Sequence, residues 1–415
     1  MKSLTAAQWK AFAASFLGWV LDGFDFTILT FLLVDIQRSF GVGKAAVGAL
    51  GTVTLIFRVV GGIGAGTAAD RWGRRLPLML SILWYSVCAF ASGFSTSFLM
   101  LFALRALFGI GMGGVWAAGM PLTLEHWPAH LRGTASGLLQ SGYSVGFMLS
   151  SLVYQFGYPL VSGRGDLGWR AMLWIGILPA LLVLWIMSSV AESPEWLERR
   201  KQLRDRRAPE SMSLRRLFDR DLLPVTIQTS VLMGGFIFSY HSITYWYPTF
   251  LGVIHRQPLP YLVAVNLGGI LGSILCGWLS ETRLGRRGAA ALAMALGVLV
   301  VPLYLFGNDD ALLWTGAFAI GLFAAGSWGI VPGYLAERFP TEARGAGAGF
   351  AYHVGAGLGS FTPYLIGGLQ DRGTPLATAM AGSIVVSGLL VIVLILLGPE
   401  TRGRAFDTAD QSAGS

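Results

Sequence analysis

Apolar runs of bilayer-crossing length recur along this chain, and that recurrence constrains its fold more than any other feature. Runs of roughly 18 to 25 residues, the length a helix needs to cross the hydrocarbon core, begin near Ala11, Ala46, Pro77, Phe98, Thr134 and Trp169. A second set begins near Leu222, Leu259, Ala289, Ala311, Ala346 and Ala377. The pattern predicts an all-α integral membrane protein with about twelve transmembrane helices in two six-helix bundles. The expected units are residues 1–191 and 222–398, with a polar linker at 192–221 and a tail at 399–415. The composition agrees: 54% of residues are hydrophobic, 13% are charged, and mean hydropathy is +0.61, outside the range of soluble domains. The first run follows only Lys2 and Lys10, is longer than a signal-peptide core and lacks a small-residue cleavage site, so it is expected to remain as a helix.

The net charge of +8 does not point to nucleic acid, because the basic residues cluster in short loops between apolar runs. The linker alone holds nine of the thirty Lys and Arg residues. With Lys2 and Lys10 inside, the loops at Arg71 to Arg75, Arg132, Arg283 to Arg287, Arg338 to Arg344 and Arg402 to Arg404 also lie inside. The opposite loops carry only Arg38, Lys44, Arg164, Arg170, Arg256 and Arg372, so both termini are expected in the cytoplasm. The expected setting is a plasma membrane, the inner membrane of a bacterium, with lipid around a monomeric chain. Cys88 and Cys276 stand far apart in apolar stretches without metal-ligand spacing and read as buried thiols; no metal or cofactor is expected.

The two halves repeat each other. DRWGRR at Asp70 to Arg75 is matched by TRLGRR at Thr282 to Arg287, and EHWPAHLRG at Glu125 to Gly133 by ERFPTEARG at Glu337 to Gly345. Arg75 and Arg287 are 212 residues apart, and so are Glu125 and Glu337. One offset shared by two loops implies a duplicated six-helix unit around a central site. On these doubled motifs, across essentially its whole length, the chain resembles the major facilitator superfamily. The loops are expected to act as a gate, with Asp70, Arg71, Arg74, Arg75, Glu125 and Arg132 in one copy. In the other stand Arg283, Arg286, Arg287, Glu337 and Arg344, with Thr282 in place of the acid and Glu281 beside it.

Few ionisable residues stand inside the runs: Asp22 and Asp25 in the first, Arg58 in the second, Arg105 in the fourth, His241 in the seventh and His353 in the eleventh. A charge at that depth costs on the order of 3 kcal/mol and marks a functional site by default. Asp22 and Asp25 are three residues apart and share a helix face. Two carboxylates in one apolar cavity with arginines nearby form a proton-coupling set, to which His241 is added. Arginine binds a carboxylate in a two-pronged geometry, so Arg58 or Arg105 is expected to hold an anionic substrate while the other pairs with the acids, Arg58 being favoured for the substrate. Gln140, Tyr240 and Tyr245 are candidate substrate contacts, as is Asn266. Trp116, Tyr143, Tyr154, Trp246, Trp328 and Tyr352 are candidate lining aromatics, and His353 is left mostly to packing or a hydrogen bond.

Within the superfamily, DGFD at Asp22 to Asp25, F-R-x-x-G-G from Phe57, the loop after the fourth helix and SPEWL at Ser193 to Leu197 resemble the sialate:proton symporter family. DGFD is also shared with aromatic acid:proton symporters. The resemblance implies proton-coupled uptake of a monocarboxylate, lactate-like, or of sialic acid, with Asp22, Asp25 and Arg58 as motif residues. FSYHSITYWYPTF around His241 partly resembles a lactate-permease motif, with Thr244 and Tyr245 where Gln and Asp would continue it. PETRGR at Pro399 to Arg404 resembles the ending of sugar porters and keeps a sugar or polyol as the alternative solute. An intramembrane prenyltransferase would need a second Asp-rich motif to hold metal and diphosphate, which this sequence lacks, so no enzymatic activity is expected. A non-transporting sensor would be expected to carry a signalling domain, and the tail is short.

Overall fold

The structure is a computed structural model and describes residues 4–127, 132–194, 196–198, 200–201, 214–339 and 344–402. The first six long helices are α1 (Ala6–Phe40), α2 (Lys44–Trp72), α3 (Arg75–Ser92), α4 (Phe98–His126), α5 (Arg132–Gly157) and α6 (Leu167–Ser189). The second six are α7 (Leu223–Val253), α8 (Pro258–Ser280), α9 (Gly285–Phe306), α10 (Asp310–Leu335), α11 in two pieces (Arg344–Gly359 and Thr362–Asp371) and α12 (Leu376–Leu397). Local sequence explains the ends of α1: Thr5 and Gln8 form a reciprocal capping box, and Gly41 takes the left-handed conformation that closes the helix at φ 63°.

Ten of these twelve helices are long and apolar enough to cross a membrane, among the described residues; α5 and α11 are not in that set. This departs from the expectation of twelve uniformly apolar runs. α5 packs on α1 and across on α8, and α11 packs on α7 and across on α2. α5 is rich in serine and glycine, and α11 is broken at residues 360–361 into two pieces, each shorter than a span. The outward faces of the helices expose large apolar side chains, Leu99, Phe156, Leu299, Leu358 and Leu397 among them.

The contact pattern of the second six helices repeats that of the first. α1 packs on α5 as α7 packs on α11, α2 on α4 as α8 on α10, and α3 on α4 as α9 on α10. The two most extensive contacts between halves, α2 with α11 and α5 with α8, are exchanged by the same pseudo-twofold relation. Small residues let the backbones meet: a Cβ added at Gly61 would stand 1.8 Å from the Ile110 carbonyl oxygen, and one at Gly109 would stand 2.1 Å from that of Thr54.

The basic end of the molecule is held by two copies of one clamp. Arg74 Nη2 meets Glu125 at 2.9 Å, and Arg286 Nη2 meets Glu337 at 3.0 Å. The main-chain N–H of Arg74 donates to Glu192 Oε1 at 2.8 Å, and that of Arg286 donates to Glu400 Oε1 at 2.9 Å. Each glutamate therefore sits at the N-terminus of a helix, where the backbone dipole favours negative charge. Gly73 and Gly285, with φ of 98° and 68°, lie directly under these carboxylates, where a side chain would be both strained and obstructed.

Arg75 donates to the Met187 carbonyl and Arg287 to that of Leu396, capping α6 and α12. In the second copy Glu281 supplies the missing acid, 2.6 Å from Arg286 Nη1. Arg71 and Arg283 are exposed and form no ion pair among the described residues. The side chains of Asp70, Arg132 and Arg344 lie outside the described residues. Within PETRGR, Glu400 is the structural twin of Glu192.

At the opposite end the halves close directly on each other. Asp371, the last residue of α11, accepts from the main-chain N–H of Lys44 at 2.9 Å and of Ala45 at 2.8 Å, the first two residues of α2. Thr52 donates to the Ser360 carbonyl at 2.7 Å, and Tyr245 Oη reaches the Val47 carbonyl at 3.5 Å. Neither contact joins neighbours in sequence, and both would have to break for this end to open.

Two predictions follow from these contacts. Removing the carboxylate with Asp371→Ala should shift the closed-to-open ratio of this end by about fivefold, a helix-terminus interaction of about 1 kcal/mol. Spin labels at Val42→Cys and Arg372→Cys would report a larger long-distance population; an unchanged distance distribution would remove Asp371 from the closure. For Glu400, burial alone would raise the carboxyl, but N–H donors on Arg402, Arg286, Arg287 and Thr401 hold it below its ordinary value. Its contribution is therefore present above the ordinary carboxylate value and lost as pH falls through the lowered folded value. Thermal unfolding in detergent between neutral pH and about pH 3 should show Glu400→Gln less stable at neutral pH and less sensitive to acid than the parent.

Candidate functional site

The middle of α1 puts its two aspartates where the halves meet. Asp22 and Asp25 are 0% and 1% exposed, and the arginines facing them are as deep, Arg58 at 5% and Arg105 at 0%. Direct ion pairs would be the ordinary way to hold four such groups, yet none joins them among the described residues. Both oxygens of Asp22, Oδ2 of Asp25, Nε of Arg58 and all three nitrogens of Arg105 have no hydrogen-bond partner. Arg58 is the opposite charge acting most strongly on Asp22, and Arg105 on Asp25. Arg105 acts on Asp22 as well, so both arginines face the acids.

The two guanidinium groups have different surroundings. That of Arg105 lies over the Phe108 ring at 4.1 Å, within the first half. That of Arg58 lies between Trp19 at 5.1 Å and Tyr352 at 5.6 Å, and its Nη2 is 3.5 Å from the Tyr352 hydroxyl, so it reaches the second half at α11. An anion held by Arg58 would therefore contact both halves at once.

Aromatic rings extend the site from there. Trp116 of α4 stacks on Tyr352 of α11 with centroids 4.1 Å apart and planes 3° from parallel. Tyr143 of α5 meets Tyr240 of α7 edge-on at 5.9 Å, and Tyr240 meets Trp328 of α10 at 5.9 Å. Gln140, Tyr143, Tyr240, Trp116 and Trp328 are half-buried. Buried atoms without partners recur here: Gln140 Oε1, Nε1 of Trp19 and Trp116, and Nδ1 of His241. Since buried polar groups in folded proteins are nearly always paired, this concentration marks a place for a polar ligand.

The helices that supply these groups are interrupted near their middles. The helical run of α7 ends at Thr244 and restarts at Tyr247, ahead of Pro248. α10 passes through a π turn at Gly321–Ala325 and a 3₁₀ turn at Gly326–Gly329, and α11 breaks before Pro363. Such breaks free backbone groups and are common at functional sites.

Tyr245 is fully buried at the seam with its ring against Gly51 of α2, where it also faces Phe26 and lies within the field of Arg105. Other sequence candidates fall elsewhere. Trp246 donates to the Pro363 carbonyl at 3.0 Å, and Tyr154 stacks between Phe31 and Tyr158. Asn266 donates to Leu262 of its own helix at 2.8 Å and is satisfied there. His241 does reach the site, beside Phe26 and Tyr240. Sequence reasoning missed Trp19 and Tyr85; the Tyr85 hydroxyl is buried, unpartnered and within the field of Asp25 and Asp22. Neither residue stands out among the aromatics of a membrane protein, so only the fold identifies them.

Comparison with known proteins adds independent information. The sequence profile of the Major Facilitator Superfamily matches residues 15–363. The chain is 34% identical to a protein of Cupriavidus pinatubonensis named "Probable 4-methylmuconolactone transporter", over 99% of this chain and 95% of that one. It is 30% identical to the sialic acid transporter NanX of Escherichia coli, over 98% and 97% of the two chains. Among solved structures, the xylose transporter XylE from E. coli in a partially occluded, inward-open conformation superposes with a TM-score of 0.74. That pair shares 19% identity and covers 97% and 100% of the two chains, a likeness of fold.

Proposed function

Because this chain belongs to the Major Facilitator Superfamily and is a membrane transporter, not an enzyme, we propose that it takes up a small organic acid together with protons by alternating access. The observation that carries this reading is a set of four buried charges, Asp22, Asp25, Arg58 and Arg105, with no ion pair among them, of which Arg58 reaches across to the second half. Buried charges of this kind are matched by the two species a symporter carries: an anion for a guanidinium and a proton for a carboxylate. The relatives named for 4-methylmuconolactone and sialic acid favour an acid as solute over a sugar.

In this mechanism the substrate carboxylate binds Arg58, bridging α2 and α11, and withdraws the charge that Arg58 supplies to Asp22. Protonation of Asp22 or Asp25 then leaves the site nearly neutral, which lowers the cost of closing apolar surface over it. Residues 1–191 and 222–398 rock as two bodies about that site, with the linker at 192–221 on the cytoplasmic side. The basic end faces the cytoplasm, as the asymmetry of Lys and Arg requires, with both termini on that side of the plasma membrane. Release of acid and proton inward restores the empty charges and resets the carrier.

The reading is tested in proteoliposomes with an imposed inward proton gradient, offered labelled lactate, sialic acid, 4-methylmuconolactone, 4-hydroxybenzoate or xylose. Uncoupler-sensitive accumulation of an acid supports it, whereas accumulation of xylose alone would overturn it. Asp25→Asn should abolish uphill uptake while leaving exchange of internal for external substrate; undiminished accumulation would remove Asp25 from coupling. Arg58→Lys keeps the charge but loses the fork and should raise the apparent KM about 10- to 100-fold. An unchanged KM would take Arg58 out of the substrate site.

A further inference from the structure

Sequence leaves His353 mostly to packing or a hydrogen bond, and the structure gives it surroundings that packing alone does not explain. Its side chain is 2% exposed, and neither Nδ1 nor Nε2 has a hydrogen-bond partner. A neutral imidazole offers one donor and one acceptor, and leaving both unmet in a buried place is costly. The ring lies between the halves: it comes from α11, rests on Gly62 of α2, and meets Trp116 of α4 edge-on at 5.7 Å. Only glycine permits this seat, since a Cβ at residue 62 would stand 2.3 Å from the imidazole.

The position relative to Arg58 gives His353 its meaning. Gly62 follows Arg58 by one helical turn on the same face of α2, and Arg58 is the charged group whose field reaches His353. Four residues of helix rise on the order of 6 Å. The Arg58 guanidinium and the His353 ring both lie against Tyr352, 5.6 Å and 5.3 Å from its ring centroid, so a molecule whose carboxylate sits at Arg58 and which extends along this face approaches the imidazole.

We propose that His353 is a specificity-determining residue that hydrogen-bonds a second polar group on the substrate, about one helical turn from the carboxylate at Arg58. The preferred solutes are then acids with a hydroxyl, carbonyl or second acidic group at their far end. Acids as short as lactate, whose hydroxyl is next to the carboxylate, cannot reach both positions. This rests on the organic-acid reading above and narrows it.

The experiment measures proton-driven uptake of 4-hydroxybenzoate, benzoate, sialic acid and lactate by the full-length protein and by His353→Phe and His353→Gln. Phenylalanine keeps the ring on Gly62 and removes both polar atoms; glutamine restores a donor and an acceptor. The parent should favour 4-hydroxybenzoate or sialic acid over benzoate and lactate. His353→Phe should raise KM for the favoured acid about 10- to 100-fold, the loss of a buried hydrogen bond, without raising it for benzoate. His353→Gln should recover part of that loss. A merely structural role would move every KM together and would not be rescued by glutamine. Accumulation of lactate or benzoate as readily as the longer polar acids, or a preference that survives His353→Phe, overturns the inference and leaves organic-acid transport standing. If neither these four acids nor 4-methylmuconolactone accumulates, the organic-acid reading falls, and this inference with it.

Discussion

The structure is organised around four ionisable side chains held in an apolar interior without direct contact between them. Burying Asp22, Asp25, Arg58 and Arg105 costs several kcal/mol in aggregate, and close ion pairs would offset much of it. Separating the groups keeps part of that cost unrelieved in the empty protein, so that a proton and an anion are the species able to relieve it. The surrounding architecture keeps these groups buried. α2 and α4 meet backbone to backbone through glycine, which fixes Arg58 and Arg105 on one rigid unit opposite α1.

The ends of the molecule obey a different logic from its centre. At the basic end the same clamp is built twice, each copy placing a glutamate on a helix N-terminus and an arginine on a second glutamate. Within each half these contacts brace neighbouring helices, so they make each half stiff. The contacts of Asp371, Thr52 and Tyr245 instead join one half to the other and hold the opposite end shut. Stiff halves with a breakable seam are the mechanical requirement for rocking about a central site.

Duplication does not extend to the chemistry. Aspartates and arginines enter the site from the first half alone, while the second contributes Tyr240, His241, Trp328, Tyr352 and His353. The first half thus carries the charge that a proton and an anion neutralise, and the second supplies rings and neutral hydrogen-bonding groups. Arg58, reaching Tyr352 across the seam, is where the two meet. A solute bound there touches both bodies and is coupled to their relative motion.

Much of this was written in the sequence, because bilayer length, charge bias and repetition are local or periodic signals. The helical membrane architecture, the doubled loops at Arg74 and Arg286, and the depth of Asp22, Asp25, Arg58 and Arg105 needed no coordinates to be read. Which arginine stands by which aspartate did not follow from spacing, since α2 and α4 could present either to α1. Tyr245 and Asn266 had the right residue types in the right helices, yet their orientations take them to the seam and to their own helix. Asp371 gave no signal at all, being one acid in a loop until the fold set it on the first turn of α2, 327 residues away. His353 looked like a core residue because a sequence cannot show whether a buried imidazole has partners. Sequence determined what must lie in the membrane and what is costly there; only the tertiary structure decided which costs are left unrelieved, because that depends on distances between helices that no local pattern encodes.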